Sequence, residues 1–251
     1  MLLTCDIGNT NITCGIWDGE VLTKKFAAPS NISRKDEMKE IFKSELSDFS
    51  VGETAVASVV PEMTPIFVDF IKGFTGVSPF VVTPDVKTGL NTRFPSDSEI
   101  GADRLCNAAA TVNLYGFPVL IADFGTATTF DIIDIEKEFI GGIIAPGVKL
   151  QADSLYNYAA QLPKIDLSLP RTFIGRNTVD EMLSGIVNGH AAMVEKMFEN
   201  CKNELGYDLI TVATGGYSTL IYEALQKKPD FCVPDLTLSG LKELYKLNVK
   251  C

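Results

Sequence analysis

The chain has one histidine, His190, in 251 residues. Mechanisms that pair a serine or cysteine nucleophile with an imidazole base are therefore poor fits, and so are zinc sites built on histidine. The six cysteines (Cys5, Cys14, Cys106, Cys201, Cys232 and Cys251) include no C-x-x-C pair. Cys5, Cys106 and Cys232 lie in apolar, strand-like or helical stretches, which reads as buried free thiols in a reducing compartment. No apolar run reaches membrane-spanning length, and the start, Met1-Leu2-Leu3-Thr4-Cys5-Asp6, has no basic region ahead of an apolar one. The expectation is a cytoplasmic protein with no membrane partner. Positive charge is scarce too: 22 basic against 32 acidic residues give a net charge of −10, which argues against nucleic acid or an anionic membrane as partner. The lysine pairs Lys24-Lys25 and Lys227-Lys228 read as solvated surface.

What is present is ordinary in bulk. Hydrophobic residues make up 46% and charged residues 22%, enough apolar material for a full core without disulfides or a structural metal. The length suits one large domain or two small ones. The most informative feature is a repeated pattern. Asp6-Ile7-Gly8-Asn9-Thr10 follows the apolar run Met1-Leu2-Leu3, and Asp123-Phe124-Gly125-Thr126-Ala127-Thr128-Thr129 follows Val119-Leu120-Ile121-Ala122. Each precedes β-prone residues, Ile12 to Trp17 and Phe130 to Ile135, so each reads as strand, tight turn, strand. An aspartate at a strand end can hold a hydrated divalent metal. Glycine lets backbone N–H groups approach a phosphate, and Thr or Asn can donate to its oxygens. Alone, the first loop reads first as a plain Gly-Asn hairpin, since Asn/Gly turns are common. The two together point to a clamp for a nucleoside triphosphate.

The surrounding pattern repeats as well. Strands are expected at 2–7, 11–17 and 21–27, then a helix over 33–49, a strand at 54–59, a helix over 64–74, a strand at 80–83, a loop over 85–98 and a helix over 100–115. The second half offers strands at 119–123, 126–133 and 138–144, a helix from 147 to about 158, an irregular stretch at 162–171 and one long helix over 178–205. A strand at 209–213, a helix over 217–226, a strand at 231–233 and a final helix over 236–247 complete it. Thr178 and Glu181 stand at capping-box spacing at the start of the long helix. The fold class this pattern implies is α/β: two duplicated halves, 1–116 and 117–251, with mixed sheets flanked by helices.

Three further segments carry candidate chemistry. Gly101-Ala102-Asp103-Arg104 falls in the first turn of a helix, where an acid is favoured by the helix dipole alone. Its functional reading makes Asp103 a general base and Arg104 a fork for a carboxylate. Gly141-Gly142-Ile143-Ile144-Ala145-Pro146-Gly147 lets a strand end approach a ligand or a partner loop. Thr214-Gly215-Gly216-Tyr217 is either a plain strand-to-helix turn or a platform for an adenosine. His190, among Gly189, Ala191 and Ala192, reads as a packed, hydrogen-bonded histidine.

With these motifs in this order, the sequence resembles the type III pantothenate kinases, of the acetate kinase, sugar kinase, Hsp70 and actin fold superfamily. The resemblance runs nearly end to end and also rests on Ala57-Ser58-Val59-Val60-Pro61, Leu162-Pro163 and Gly175-Arg176-Asn177-Thr178. It implies two ribonuclease-H-like halves with ATP in the cleft between them, and phosphorylation of pantothenate to 4′-phosphopantothenate at the start of coenzyme A synthesis. It further implies that Asp6, Ile7, Gly8, Asn9, Thr10, Asn11, Ile12, Thr13, Thr126, Gly215 and Gly216 contact ATP. Asp6 would hold Mg²⁺, directly or through water, and Asp123 an activating K⁺ or ammonium ion. Asp103 would be the catalytic base, with Gly101, Ala102, Asp103, Arg104 and Thr178 binding pantothenate, in a homodimer. Relatives often place a tyrosine where this chain has Phe94, which is therefore not counted as a site. A sugar or short-chain-acid kinase of the same superfamily, or a regulatory protein that kept the fold, are the competing readings. Asp6, Asp103 and Asp123 are all retained, which weighs against the second.

Overall fold

The computed structural model describes residues 1–92 and 100–249. Phe94 lies outside the described residues. The chain divides into two compact units, Met1–Asn113 together with the segment from Leu236 onward, and Leu114–Asp235.

In the first unit, β1 (Leu2–Ile7), β2 (Asn11–Asp18), β3 (Val21–Pro29), β4 (Glu53–Ser58) and β5 (Phe80–Val81) form a mixed sheet in the order β3-β2-β1-β4-β5. β1 to β3 make an antiparallel meander, and β4 and β5 join in parallel. Helices α1 (Lys35–Leu46) and α2 (Met63–Thr75) contribute Met38, Phe42, Phe67 and Ile71 to a core against Leu3, Cys5, Ile7 and Ile12. Phe42 is its centre, meeting Phe26, Phe67 and Phe70 edge-on at centroid distances of 5.1, 5.7 and 5.2 Å. A short strand, β6 (Asn91–Thr92), and helix α3 (Ala102–Tyr115) come next in the chain.

In the second unit, β7 (Val119–Phe124), β8 (Ala127–Ile133), β9 (Glu138–Pro146), β10 (Ile210–Thr214) and β11 (Phe231–Cys232) run in the order β11-β10-β7-β8-β9. The meander β7–β8–β9 is antiparallel, and β10 and β11 join in parallel. This is the first unit's plan over again, as the paired hairpins imply. Its core gathers Leu120, Phe124 and Phe130 from the sheet with Met182, Ile186, Val194 and Phe198 from helices, alongside α4 (Val148–Tyr158) and α7 (Ser218–Ala224).

Two expectations change. The long helix over 178–205 is broken: α5 (Thr178–Leu183) passes through a π-turn (Ser184–Asn188) into α6 (Gly189–Leu205). An inserted residue of this kind shifts the hydrophobic stripe by one position within a run apolar enough to hide the shift, so periodicity does not reveal it. Second, the final helix α8 (Leu236–Val249) packs on β1, β2 and β4 of the first unit, whereas a division at 116/117 places it in the second half. Gly240 makes the packing possible: a Cβ there would stand 1.9 Å from the Cys106 carbonyl oxygen on α3. Lys242, buried over the Trp17 ring at 4.4 Å and paired with Glu20 at 2.7 Å, ties α8 to the β2–β3 hairpin. No helix among the described residues is long and apolar enough to cross a membrane.

Candidate active site

In the first unit the turn between β1 and β2 is closed by the Gly8 N–H donating to the Asn11 carbonyl at 3.0 Å. A Cβ on Gly8 would press on that carbonyl at 3.3 Å, so the close turn favours glycine. Asn9, Thr10 and Asn11 are exposed at the tip, while Asp6 and Thr13 face each other half-buried at its base. Ile7 and Ile12 are buried in the core, so they can offer a ligand only their backbone. Ser30, just beyond β3, donates its backbone N–H to the Thr10 carbonyl at 3.2 Å. Its hydroxyl is buried with no hydrogen-bond partner among the described residues. No sequence signal singles Ser30 out.

Gly101 to Arg104 lie at the start of α3, as expected. Asp103 turns its carboxylate back over the Gly101 backbone: a Cβ on Gly101 would meet Asp103 Oδ1 at 2.5 Å. The same Oδ1 accepts the Arg104 backbone N–H at 2.8 Å. Burial pushes the Asp103 carboxyl up from its ordinary value, and that hydrogen bond and the Arg104 charge only partly offset it. A half-buried carboxylate with a raised pKa at a helix start is a reasonable proton acceptor near neutral pH.

The second hairpin is built more tightly. Gly125 N–H donates to the Ala127 carbonyl and Gly147 N–H to the Thr126 carbonyl, both at 3.1 Å. A Cβ on Gly147 would come within 2.5 Å of the Gly125 and Thr126 carbonyl oxygens, so the glycine-rich end of β9 rests on the partner loop. Gly215, at φ +93°, takes a backbone shape that side chains rarely adopt. A Cβ there would meet Asp123 Oδ1 at 2.3 Å, so the Thr214–Gly216 turn presses directly on Asp123 and Phe124. Thr126 and Gly216 are exposed beside it. Asp123 stands in register between Thr129 of β8 and Thr214 of β10, and Thr214 Oγ1 is fully buried with no hydrogen-bond partner among the described residues. One carboxylate flanked by neutral hydroxyl oxygens suits a hard cation of low charge, so these residues fit the monovalent ion the resemblance implies.

Beneath this loop His190 is 2% exposed and joins Thr128 Oγ1 through Nε2 and Gln151 Nε2 through Nδ1, both at 2.9 Å. Gln151 also donates to the Pro146 carbonyl at 2.9 Å. Burial lowers the imidazole pKa to about 4, so at neutral pH the ring is uncharged and links β8 to the β9–α4 junction. The packed histidine is thus as expected; Gln151 carries no sequence signal.

Thr178 lines a concavity of about 730 Å³ with Gln151, Tyr158, Glu181, Gly185 and Ile186. The expected capping box is not formed. Asn177 caps α5, its side chain accepting the Asp180 N–H at 3.0 Å, and Thr178 is the first helical residue with its side chain exposed. The Thr178 hydroxyl is therefore not spent on the cap. Gly175 fits against the first turn of α5, where a Cβ would stand 2.4 Å from the Glu181 backbone nitrogen.

Each of the two α/β units thus carries a loop in which an aspartate precedes a glycine turn, an arrangement suited to binding phosphate. The family model for type III pantothenate kinases matches residues 2–200. A type III pantothenate kinase of Halalkalibacterium halodurans is 36% identical, with 99% of this chain and 100% of that one covered. Another from Agathobacter rectalis is also 36% identical, covering 98% and 97%. Among solved structures, a conserved protein from Campylobacter jejuni described as a Baf family transcriptional activator is similar in fold, with a TM-score of 0.61, 19% identity and 97% of both chains covered. The chain belongs to the type III pantothenate kinase family.

Proposed function

We infer that this chain transfers the γ-phosphoryl group of ATP to pantothenate, giving 4′-phosphopantothenate in the first step of coenzyme A synthesis. The observation that carries the reading is the family match along nearly the whole chain. The residue roles are those the family resemblance implies, and the chemistry of each residue suits its role. Asp103 takes the proton of the acceptor hydroxyl, helped by the burial that raises its pKa. Arg104 forks the pantothenate carboxylate, while Gly101, Ala102 and Thr178 line its site. Backbone N–H groups and side chains from Asp6 to Thr13 take part in binding the triphosphate, as does Thr126, and Gly215 and Gly216 meet the adenosine. Asp6 holds Mg²⁺, which neutralises charge on the transferring phosphoryl group when bound. Asp123 holds K⁺ or ammonium. Phosphoryl transfer needs alignment and charge neutralisation more than covalent help, and two loops rich in N–H donors with two carboxylates serve that end. The working form is a cytoplasmic homodimer.

The test is ADP release from Mg²⁺-ATP, with pantothenate compared against sugars and short-chain acids, in K⁺ and in Na⁺ buffer. Turnover with pantothenate alone, and only with K⁺ or ammonium, is expected. Turnover with a sugar in place of pantothenate would move the assignment to another kinase of the superfamily. ATP binding without any turnover would favour a regulatory role.

A further inference from the structure

We propose that Thr214 Oγ1 is an oxygen ligand of the monovalent cation held at Asp123, and that it sets the affinity for that ion. The proposal deepens the reading of Asp123 as a cation site and rests on it.

Three observations converge. Thr214 is 0% exposed, yet Oγ1 has no hydrogen-bond partner among the described residues. Buried hydroxyls are paired in nearly all native structures, so an unpaired one points to a missing partner. The placement shows where that partner belongs. β10 runs parallel to β7 with Thr214 directly beside Asp123. Ala213 on β10 and Ala122 and Phe124 on β7 enter the core of the unit. Side chains alternate along a strand, so Thr214 and Asp123 project together from the other face of the sheet. Thr129 on β8 lies on the far side of Asp123 in the same register, adding a second hydroxyl. The turn after β10 brings the backbone onto the same carboxylate: a Cβ on Gly215 would stand 2.3 Å from Asp123 Oδ1.

The chemistry of this set is selective. Divalent hard cations draw on several carboxylates or on octahedral water, whereas one carboxylate with neutral hydroxyl and carbonyl oxygens suits a singly charged ion that sheds its water easily. A hydroxyl contributes a lone pair without adding charge, so Thr214 tunes affinity while Asp123 supplies the attraction.

The test uses the full-length protein without nucleotide or pantothenate. Thermal unfolding is followed during a K⁺ titration, with tetramethylammonium holding ionic strength constant. Wild type, Thr214→Val, Thr214→Ser and Asp123→Asn are compared. Wild type and Thr214→Ser should gain Tm with K⁺. Thr214→Val, of nearly the same shape, should need at least tenfold more K⁺ for the same gain, and should be no less stable than wild type without K⁺ because an unpaired buried hydroxyl has been removed. A purely structural hydroxyl would give the opposite result without K⁺ and the same K⁺ response. Asp123→Asn should not respond. If Thr214→Val titrates like wild type while Asp123→Asn does not respond, the role of Thr214 is overturned and the cation site stands. If Asp123→Asn responds like wild type, or wild type shows no K⁺ response at all, the cation site itself is wrong and the proposal falls with it. Should Thr214→Val fail to fold, Thr214→Ala in the same titration decides between the same outcomes.

Discussion

Asp103 combines two opposed influences on one carboxylate. Burial disfavours its charge, while the Arg104 backbone N–H at 2.8 Å and the Arg104 guanidinium favour it, and burial prevails. A base with a raised pKa is protonated, and so inactive, at pH values where an ordinary carboxylate still works. The acid limb of kcat/KM should therefore lie above the ordinary aspartate range, and activity should fall as pH drops through it. Arg104→Met removes the opposing charge, so its acid limb should move further up while its KM for pantothenate rises. Asp103→Asn keeps the size of the group but cannot accept the proton, and should lose about 10²–10⁴-fold in kcat with ATP binding retained. A pH–rate profile of the three proteins checks this, and a wild-type acid limb at or below the ordinary aspartate value would refute the burial argument. His190 sits at the other extreme of pKa control: held between Thr128 and Gln151, it stays neutral and positions the loop instead of moving protons.

At the scale of elements, the hairpins were legible because their signal is local. An aspartate, a glycine and hydroxyl residues after an apolar run force a tight turn wherever they occur, and the Gly8–Asn11 and Gly125–Ala127 hydrogen bonds are the outcome. The start of α3 was legible for the same reason. The break at Ser184–Asn188 was not, since a π-turn shifts the helical stripe by one residue within a run apolar enough to hide it. The N-cap was misread because Thr178 and Asn177 are both capping residues, and only the structure shows which side chain reaches Asp180. The docking of α8 was also hidden, because an apolar helical face fits any open sheet face. Its one sequence trace is Gly240, whose meaning depends on a partner far away in the chain. Gly240→Ala would drive a Cβ to 1.9 Å from the Cys106 carbonyl, a rigid backbone atom that cannot step aside. We expect a loss of about 2–3 kcal/mol, the upper part of the range for overpacked cores, in chemical denaturation. A change below about 0.5 kcal/mol, the scale of an ordinary surface substitution, would show that α8 does not cross α3 so closely.

For the molecule as a whole, the open question is what covers the apolar face of the second unit. Tyr158, which lines the concavity with Thr178, is 91% exposed, and Phe173 and Ile174 are 80% and 79% exposed. Large apolar side chains this exposed are unusual on a chain that stays alone in water. The segment bearing Phe173 is not loose: its carbonyl accepts the Ser184 hydroxyl from the π-turn at 2.5 Å, and Gly175 seats it against α5. The break in the helix therefore has a structural consequence, since Ser184 within it anchors the apolar loop. A second copy of the chain placing the same face against it would bury these side chains on both sides, the self-complementary arrangement of two-fold dimers. Sedimentation equilibrium should then give twice the chain mass. Tyr158→Glu, which puts a charge at the most exposed of the three positions, should shift the protein to monomer and raise the KM for pantothenate, because Thr178 lines the same concavity, while leaving the far-ultraviolet circular dichroism unchanged. A monomeric wild type, or a Tyr158→Glu protein that remains a dimer, would mean that this face is covered by something other than its own copy.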